Sequence, residues 1–166
     1  MLAKWLLANF PVKYKPIYLI RNPFAMISSL KLHPNWSYPF KKFEIPDQPF
    51  NDIYKTHCDF LTALETVAEQ LLAFWCLSNQ ETRNMVEVEK SFQVIFYENS
   101  VTNPERELKV LFEKWGIAFS PKYLNEISNS SASSIDNKKM NPKSQLFKWK
   151  KLLGSEEINR YQSILN

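Results

Sequence analysis

Glycine is nearly missing from this chain. Its 166 residues include 2, Gly116 and Gly154, where average usage of roughly 7% would supply about a dozen. A Walker A loop needs two glycines and a following lysine, and a dinucleotide-binding turn needs three. Neither cradle can be written in this sequence, so any phosphate it binds is held by other means. Cysteine is as scarce: Cys58 and Cys76 lie eighteen positions apart in what reads as one helical stretch. They cannot bridge within a straight helix and read as reduced residues of a reducing, cytoplasmic compartment. No pair of histidines or cysteines has ligand spacing, so no metal is expected. The longest apolar run, Leu71 to Leu77, has seven residues, far short of the roughly 18–20 of a membrane span. The first ten residues carry Lys4 in a short apolar stretch without a small-residue cleavage site, and make a poor signal peptide.

What the chain does contain is an ordinary globular composition, 45% apolar and 23% charged, which excludes a disordered or fibrous protein. Its length suits a single domain over residues 1–166. A formal charge of +4 gives a mild preference for anionic partners. A basic nucleic-acid binder is favoured only by that charge and by Lys148, Lys150 and Lys151. Nothing in the sequence resembles a recognition helix or a base-stacking motif, so no nucleic-acid partner is expected.

Lys15-Pro16-Ile17-Tyr18-Leu19-Ile20, in a basic context, and Phe92-Gln93-Val94-Ile95-Phe96-Tyr97 are apolar runs without alternation, which predicts two buried strands. Asn22 can cap and Pro23 can open a helix to about Lys31. Positions 34–50 hold Pro34, Pro39, Pro46 and Pro49 with Trp36, Tyr38, Phe40, Phe43 and Phe50, a loop with aromatic anchors. From Asp52 to about Asn79, Phe60, Leu61, Leu64, Val67, Ala68, Leu71, Leu72, Trp75 and Cys76 recur at helical spacing, which predicts one long amphipathic helix. Thr102-Asn103-Pro104-Glu105 reads as a capping box opening a helix that ends at Gly116. A short helix is expected from Ser120 to about Ile127, a Ser/Asn-rich loop from Ser128 to Ser134, and a last helix from Ser155 to Leu165. The alternation of helices and strands predicts an α/β fold, a parallel sheet covered by helices. Two strands are few for such a sheet, so further strands are expected to complete it.

In open parallel sheets, ligands bind beyond the carboxyl ends of the strands, and Arg21 stands at such an end. Its guanidinium can grip a phosphate bidentately beside the helix that starts at Pro23. Asn22, Met26 and Ser29 share one helical face by spacing. On this local pattern two readings stand: a glycine-free anion site, or an Arg21 that closes the helix onto an acidic neighbour with Ser29 as a packing residue. His33 either caps the helix or faces the turn, and the cap is the better reading. His57 reads as a surface or satisfied core residue.

The segment from Tyr18 to Leu30 resembles the 3′-phosphate-binding motif of the sulfotransferase family: a hydrophobic strand, R-x-P, and a serine eight positions after the arginine. Phe92 to Phe96, Tyr97-Glu98, Asn103-Pro104, Glu107-Leu108, Leu111 and Gly116 resemble, in the right order, that family's later strand, Y-E pair and glycine-ended helix. Trp75 with Asn79, and Trp149-Lys150 before Leu153 and Glu156-Glu157, are weaker echoes. The resemblance implies a P-loop NTPase-like sulfotransferase fold. It implies transfer of a sulfuryl group from 3′-phosphoadenosine 5′-phosphosulfate (PAPS) to a hydroxyl or amine of a small-molecule or glycan acceptor. Arg21 and Ser29 would hold the donor's 3′-phosphate, and Tyr97 would lie near the adenine.

The chain departs from the family upstream. Twenty residues precede Arg21, with Lys4, Lys13 and Lys15 but neither glycine nor histidine, so the loop that would hold the 5′-phosphosulfate and the usual histidine base are not found there. The expectation is a chain that resembles the carboxyl-terminal two thirds of the family's domain, N-terminally incomplete and completed by an upstream segment or a partner chain. The alternative is a nucleotide-binding module or remnant without turnover. No catalytic base is assigned, and the aromatics of positions 34–50 are the candidates for an acceptor-binding lid.

Overall fold

A computed structural model of the chain describes residues 2–32, 41–45, 47, 52–83, 91–127 and 142–165. In chain order the elements are α1 (Leu2–Asn9), β1 (Ile17–Ile20), α2 (Pro23–Leu32), α3 (Asp52–Thr56), α4 (Cys58–Thr62), α5 (Val67–Arg83), β2 (Gln93–Phe96), α6 (Tyr97–Thr102), α7 (Pro104–Lys114), α8 (Lys122–Ile127), α9 (Pro142–Gln145), α10 (Trp149–Leu152) and α11 (Ser155–Leu165). They form two compact units: Met1–Asn22 with Met85–Phe147, and Pro23–Asn84 with Lys148–Asn166. The expected Ser128–Ser134 loop and most of positions 34–50 lie outside the described residues.

The first unit is built on β1 and β2, which pair in parallel with Ile17 opposite Gln93 and Ile20 opposite Phe96. Helices and a small parallel sheet make this an α/β protein, as the alternation of patterns predicts. The expected burial of both strands does not hold. Ile95 is buried, but Ile17 is 44%, Leu19 54% and Phe96 48% exposed. Successive strand side chains point to opposite faces, and each of these two strands has one strand neighbour among the described residues. An unbroken apolar run encodes a strand that tolerates cover on both faces, and cover itself comes from other elements.

Beyond β2 the chain winds at once into α6. This overturns the capping box expected at Thr102. That residue closes α6, its hydroxyl donating 2.9 Å to the Glu98 carbonyl, and Asn103 precedes α7 without a side-chain cap. Pro104 does occupy the first turn of α7, where its missing N–H costs nothing. At the far end Gly116 adopts φ +66°. The Gly116 N–H donates to the Glu113 carbonyl and the Ile117 N–H to the Phe112 carbonyl, both at 2.9 Å. This is a Schellman stop, and its left-handed residue explains why one of the two glycines is placed there. Phe112 packs against Trp115, Phe119 and Tyr123, and the Trp115 indole donates 3.0 Å to the Lys15 carbonyl.

In the second unit Phe24, Ile27, Ala68, Leu72, Leu153 and Tyr161 form one core cluster, and Leu61, Leu64, Ala73 and Leu77 another. Phe24 stacks on Trp149 with ring centroids 5.1 Å apart. The single long helix expected over Asp52–Asn79 is divided into α3, α4 and α5, and the break before α5 is chemical. Glu69 accepts the N–H groups of Glu65 and Thr66, each at 2.8 Å, while the Thr66 hydroxyl accepts the Glu69 N–H at 3.2 Å. Thr66-Val67-Ala68-Glu69 is thus a capping box that starts a new helix inside an unbroken apolar repeat. Helix α2 carries Lys31, which pairs with Glu157 of α11. Glu157 also accepts the Gly154 N–H at 3.1 Å and the Tyr161 hydroxyl at 3.3 Å. The Lys31 hydrogen bond holds the Glu157 carboxyl below its usual range. Burial lowers Lys31, but its bond to Glu157, together with the Tyr161 hydroxyl and the Glu157 charge, outweighs that and raises it.

Candidate functional site

Parallel pairing sets Ile20 beside Phe96, so the residues that follow each strand, Arg21-Asn22 and Tyr97-Glu98, emerge abreast at the carboxyl ends. Both contacts that this predicts are made. The Arg21 guanidinium carbon lies 4.8 Å from the centroid of the Tyr97 ring, in cation–π range. The Asn22 N–H donates 2.8 Å to the Glu98 carboxylate, across 76 positions of sequence. Two consecutive residues of one strand end are therefore held by two consecutive residues of the other.

The guanidinium keeps unused donor capacity. Its Nε is buried and has no hydrogen-bond partner among the described residues. A buried donor without a partner is costly, and an anion is one group that can accept its hydrogen bond. One oxygen of Glu98, the acid of the neighbouring strand end, accepts the Asn22 backbone N–H. An arginine over an aromatic face, with its Nε unpartnered among the described residues, suits a phosphate or sulfate.

Ser29 belongs to α2 in the second unit and is exposed. Its neighbour Ser28 is buried and donates to the Ala25 carbonyl at 3.2 Å, so the helix divides the two serines into a structural and a solvent-facing hydroxyl. Arg21 and Tyr97 are brought together in the first unit; Ser29 belongs to the second. Sequence reasoning noted Glu98 only as half of a Y-E pair and missed its bond to Asn22. The available signal was the register, since a pair directly after one strand meets the pair directly after its parallel neighbour.

The remaining candidates fall into two groups. His33, Trp36, Tyr38, Phe40 and Phe50 lie outside the described residues. Phe43, the described member of the lid candidates, packs its ring 6.0 Å from Tyr54 and 5.5 Å from Phe74, which makes it a core anchor. His57 is half-buried at the junction of α3 and α4. Trp75 receives at its carbonyl a 2.6 Å bond from the Asn79 amide. Cys58 and Cys76 are both free, and burial pushes the Cys76 thiol up. Among the described residues no helix is long and apolar enough to cross a membrane.

A family model described as "Sulfotransferase domain" matches residues 5–165. No curated protein and no solved structure matches the chain.

Proposed function

The chain belongs to the sulfotransferase family, and from that premise we propose that it binds the 3′-phosphate end of PAPS, or of its product adenosine 3′,5′-bisphosphate. Arg21 and Ser29 hold the 3′-phosphate, and Tyr97 lies toward the adenine. The observation that carries this reading is the Arg21 guanidinium, stacked on Tyr97 beyond the ends of two parallel strands with its Nε unpartnered. The family generally transfers the sulfuryl group of PAPS to small-molecule acceptors. In this chain we assign the acceptor only as a hydroxyl or amine, on a small molecule or a glycan. The reaction asks little covalent chemistry of the protein. Charge spreads over non-bridging oxygens, as in phosphoryl transfer, so positioning and fixed positive charge dominate. A P-loop NTPase-like arrangement fits a phosphate site at a strand-to-helix turn. Cytoplasmic residence fits the two free cysteines.

The second reading is a nucleotide-binding module without turnover. The two readings share the 3′-phosphate site and part on whether labelled PAPS passes its sulfuryl group to an acceptor.

Thermal unfolding with adenosine 3′,5′-bisphosphate tests the shared site. At a hundredfold excess over its dissociation constant the nucleotide is expected to stabilise the chain by about 2.7 kcal/mol, while ATP at the same concentration leaves the transition in place. An equal response to both nucleotides would remove the 3′-phosphate assignment. Ser29→Ala is expected to weaken bisphosphate binding by about 0.5–1.5 kcal/mol, the worth of one hydrogen bond, in a calorimetric titration. An unchanged dissociation constant at low salt would make Ser29 a bystander.

A further inference from the structure

We infer that Glu98 is a positioning residue of the nucleotide site: its carboxylate, through the Asn22 N–H, fixes the strand end that carries Arg21, and so the direction in which the guanidinium is presented. The inference rests on the reading of Arg21 as the 3′-phosphate ligand and goes beyond it, since Glu98 acts here through the Asn22 backbone. Arginine is long and rotamer-rich, and holding its fork at one place requires both the side chain and its backbone to be restrained. Tyr97 supplies the first restraint by lying under the guanidinium. Glu98 supplies the second through a 2.8 Å bond to the peptide that directly follows Arg21. A carboxylate accepting a backbone N–H makes a charge-assisted bond, stronger than a neutral pair.

The direction of that bond also matters electrostatically. Glu98 is the acid next in sequence to the residue whose ring the guanidinium covers. Among the described residues no ion pair of Arg21 is found, and its Nε stays without a partner. Glu98 thus orders the turn and leaves the Arg21 Nε available to an anion. The Y-E pair after β2 acquires a division of labour, the tyrosine for the side chain of Arg21 and the glutamate for its backbone.

The test is the preference for adenosine 3′,5′-bisphosphate over adenosine 5′-monophosphate, measured by calorimetry on the full chain and its variants. Glu98→Ala is expected to cost about tenfold in bisphosphate affinity, the order of one charge-assisted bond, with monophosphate affinity changed less than about twofold. Glu98→Gln keeps an oxygen that can accept the Asn22 N–H and is expected to stay within about threefold of the unaltered chain. Should Glu98→Ala fold poorly, Glu98→Asp keeps the charge but draws the carboxylate back from Asn22, and is expected to lose the preference as well. A variant that weakens both nucleotides equally would mark Glu98 as a general stabiliser and overturn the inference. So would a Glu98→Gln loss as large as that of Glu98→Ala. A bisphosphate preference retained in Glu98→Ala would sink the inference alone. An unaltered chain with no such preference would sink the Arg21 reading on which it stands.

Discussion

Replacing Arg21 with alanine is expected to weaken adenosine 3′,5′-bisphosphate binding at least about a hundredfold while leaving the melting temperature nearly unchanged. Hydrogen bonds to charged groups are worth about 1.5–3 kcal/mol each, and a bidentate fork makes two. Their joint loss exceeds the roughly 2.8 kcal/mol that a hundredfold represents. Stability should hardly respond, because two effects oppose each other. The cation–π contact with Tyr97 is worth about 0.5–1 kcal/mol where partly exposed. Against it stands the cost of a buried Nε without a partner, which the alanine relieves. Arg21→Lys sharpens the test, since it keeps the charge but loses both the planar stacking and the fork, and should recover only part of the affinity. Calorimetric titration reads the first effect and a thermal scan the second. Binding within about threefold of the unaltered chain would take Arg21 out of the site, and a large drop in melting temperature would make it structural.

What could be read beforehand follows from how local each signal is. The joint Ile20-Arg21-Asn22-Pro23 carries its own instructions, a strand ending at a polar pair and a proline that can only open a helix, and β1 ends and α2 begins where expected. Parallel pairing followed from apolar runs separated by helices. The meeting of Arg21 with Tyr97, and of Asn22 with Glu98, depends on the register of Ile20 opposite Phe96, which no short segment encodes. The capping boxes show the same limit from both sides. Thr66-x-x-Glu69 was hidden in a continuous helical repeat, yet it forms and divides the helix. Thr102-x-x-Glu105 was conspicuous, yet Thr102 had already been drawn into α6. A cap motif proposes a boundary, and competing hydrogen bonds of its neighbours decide whether it is used. Burial of the strands was misjudged for a related reason, since exposure of Ile17 and Leu19 depends on elements elsewhere in the chain.

Glu69 is where the second unit is expected to respond most strongly to a single substitution. Its side chain is 2% exposed, and its two oxygens accept the N–H groups of Glu65 and Thr66 and the Arg160 guanidinium. Glu69→Ala leaves those backbone donors at the start of α5 without their acceptor, removes the helix cap and opens a void. A lost cap costs about 1–2 kcal/mol and an unsatisfied buried group about 1–3, so a loss of about 2–4 kcal/mol is expected in denaturant unfolding. Acid provides a test of the charge itself. Burial pushes the Glu69 carboxyl up, but the Glu65 N–H, the Arg160 guanidinium and the Thr66 N–H together hold it below the ordinary glutamate range. A folded value below the unfolded one means that the carboxylate stabilises fully above the ordinary range, and that its contribution fades as pH falls from there through the lower folded value. The stability difference between the unaltered chain and Glu69→Gln should therefore be widest near neutrality and shrink in acid. A gap that stays constant with pH would assign Glu69's role to shape and hydrogen bonding, with its charge contributing nothing.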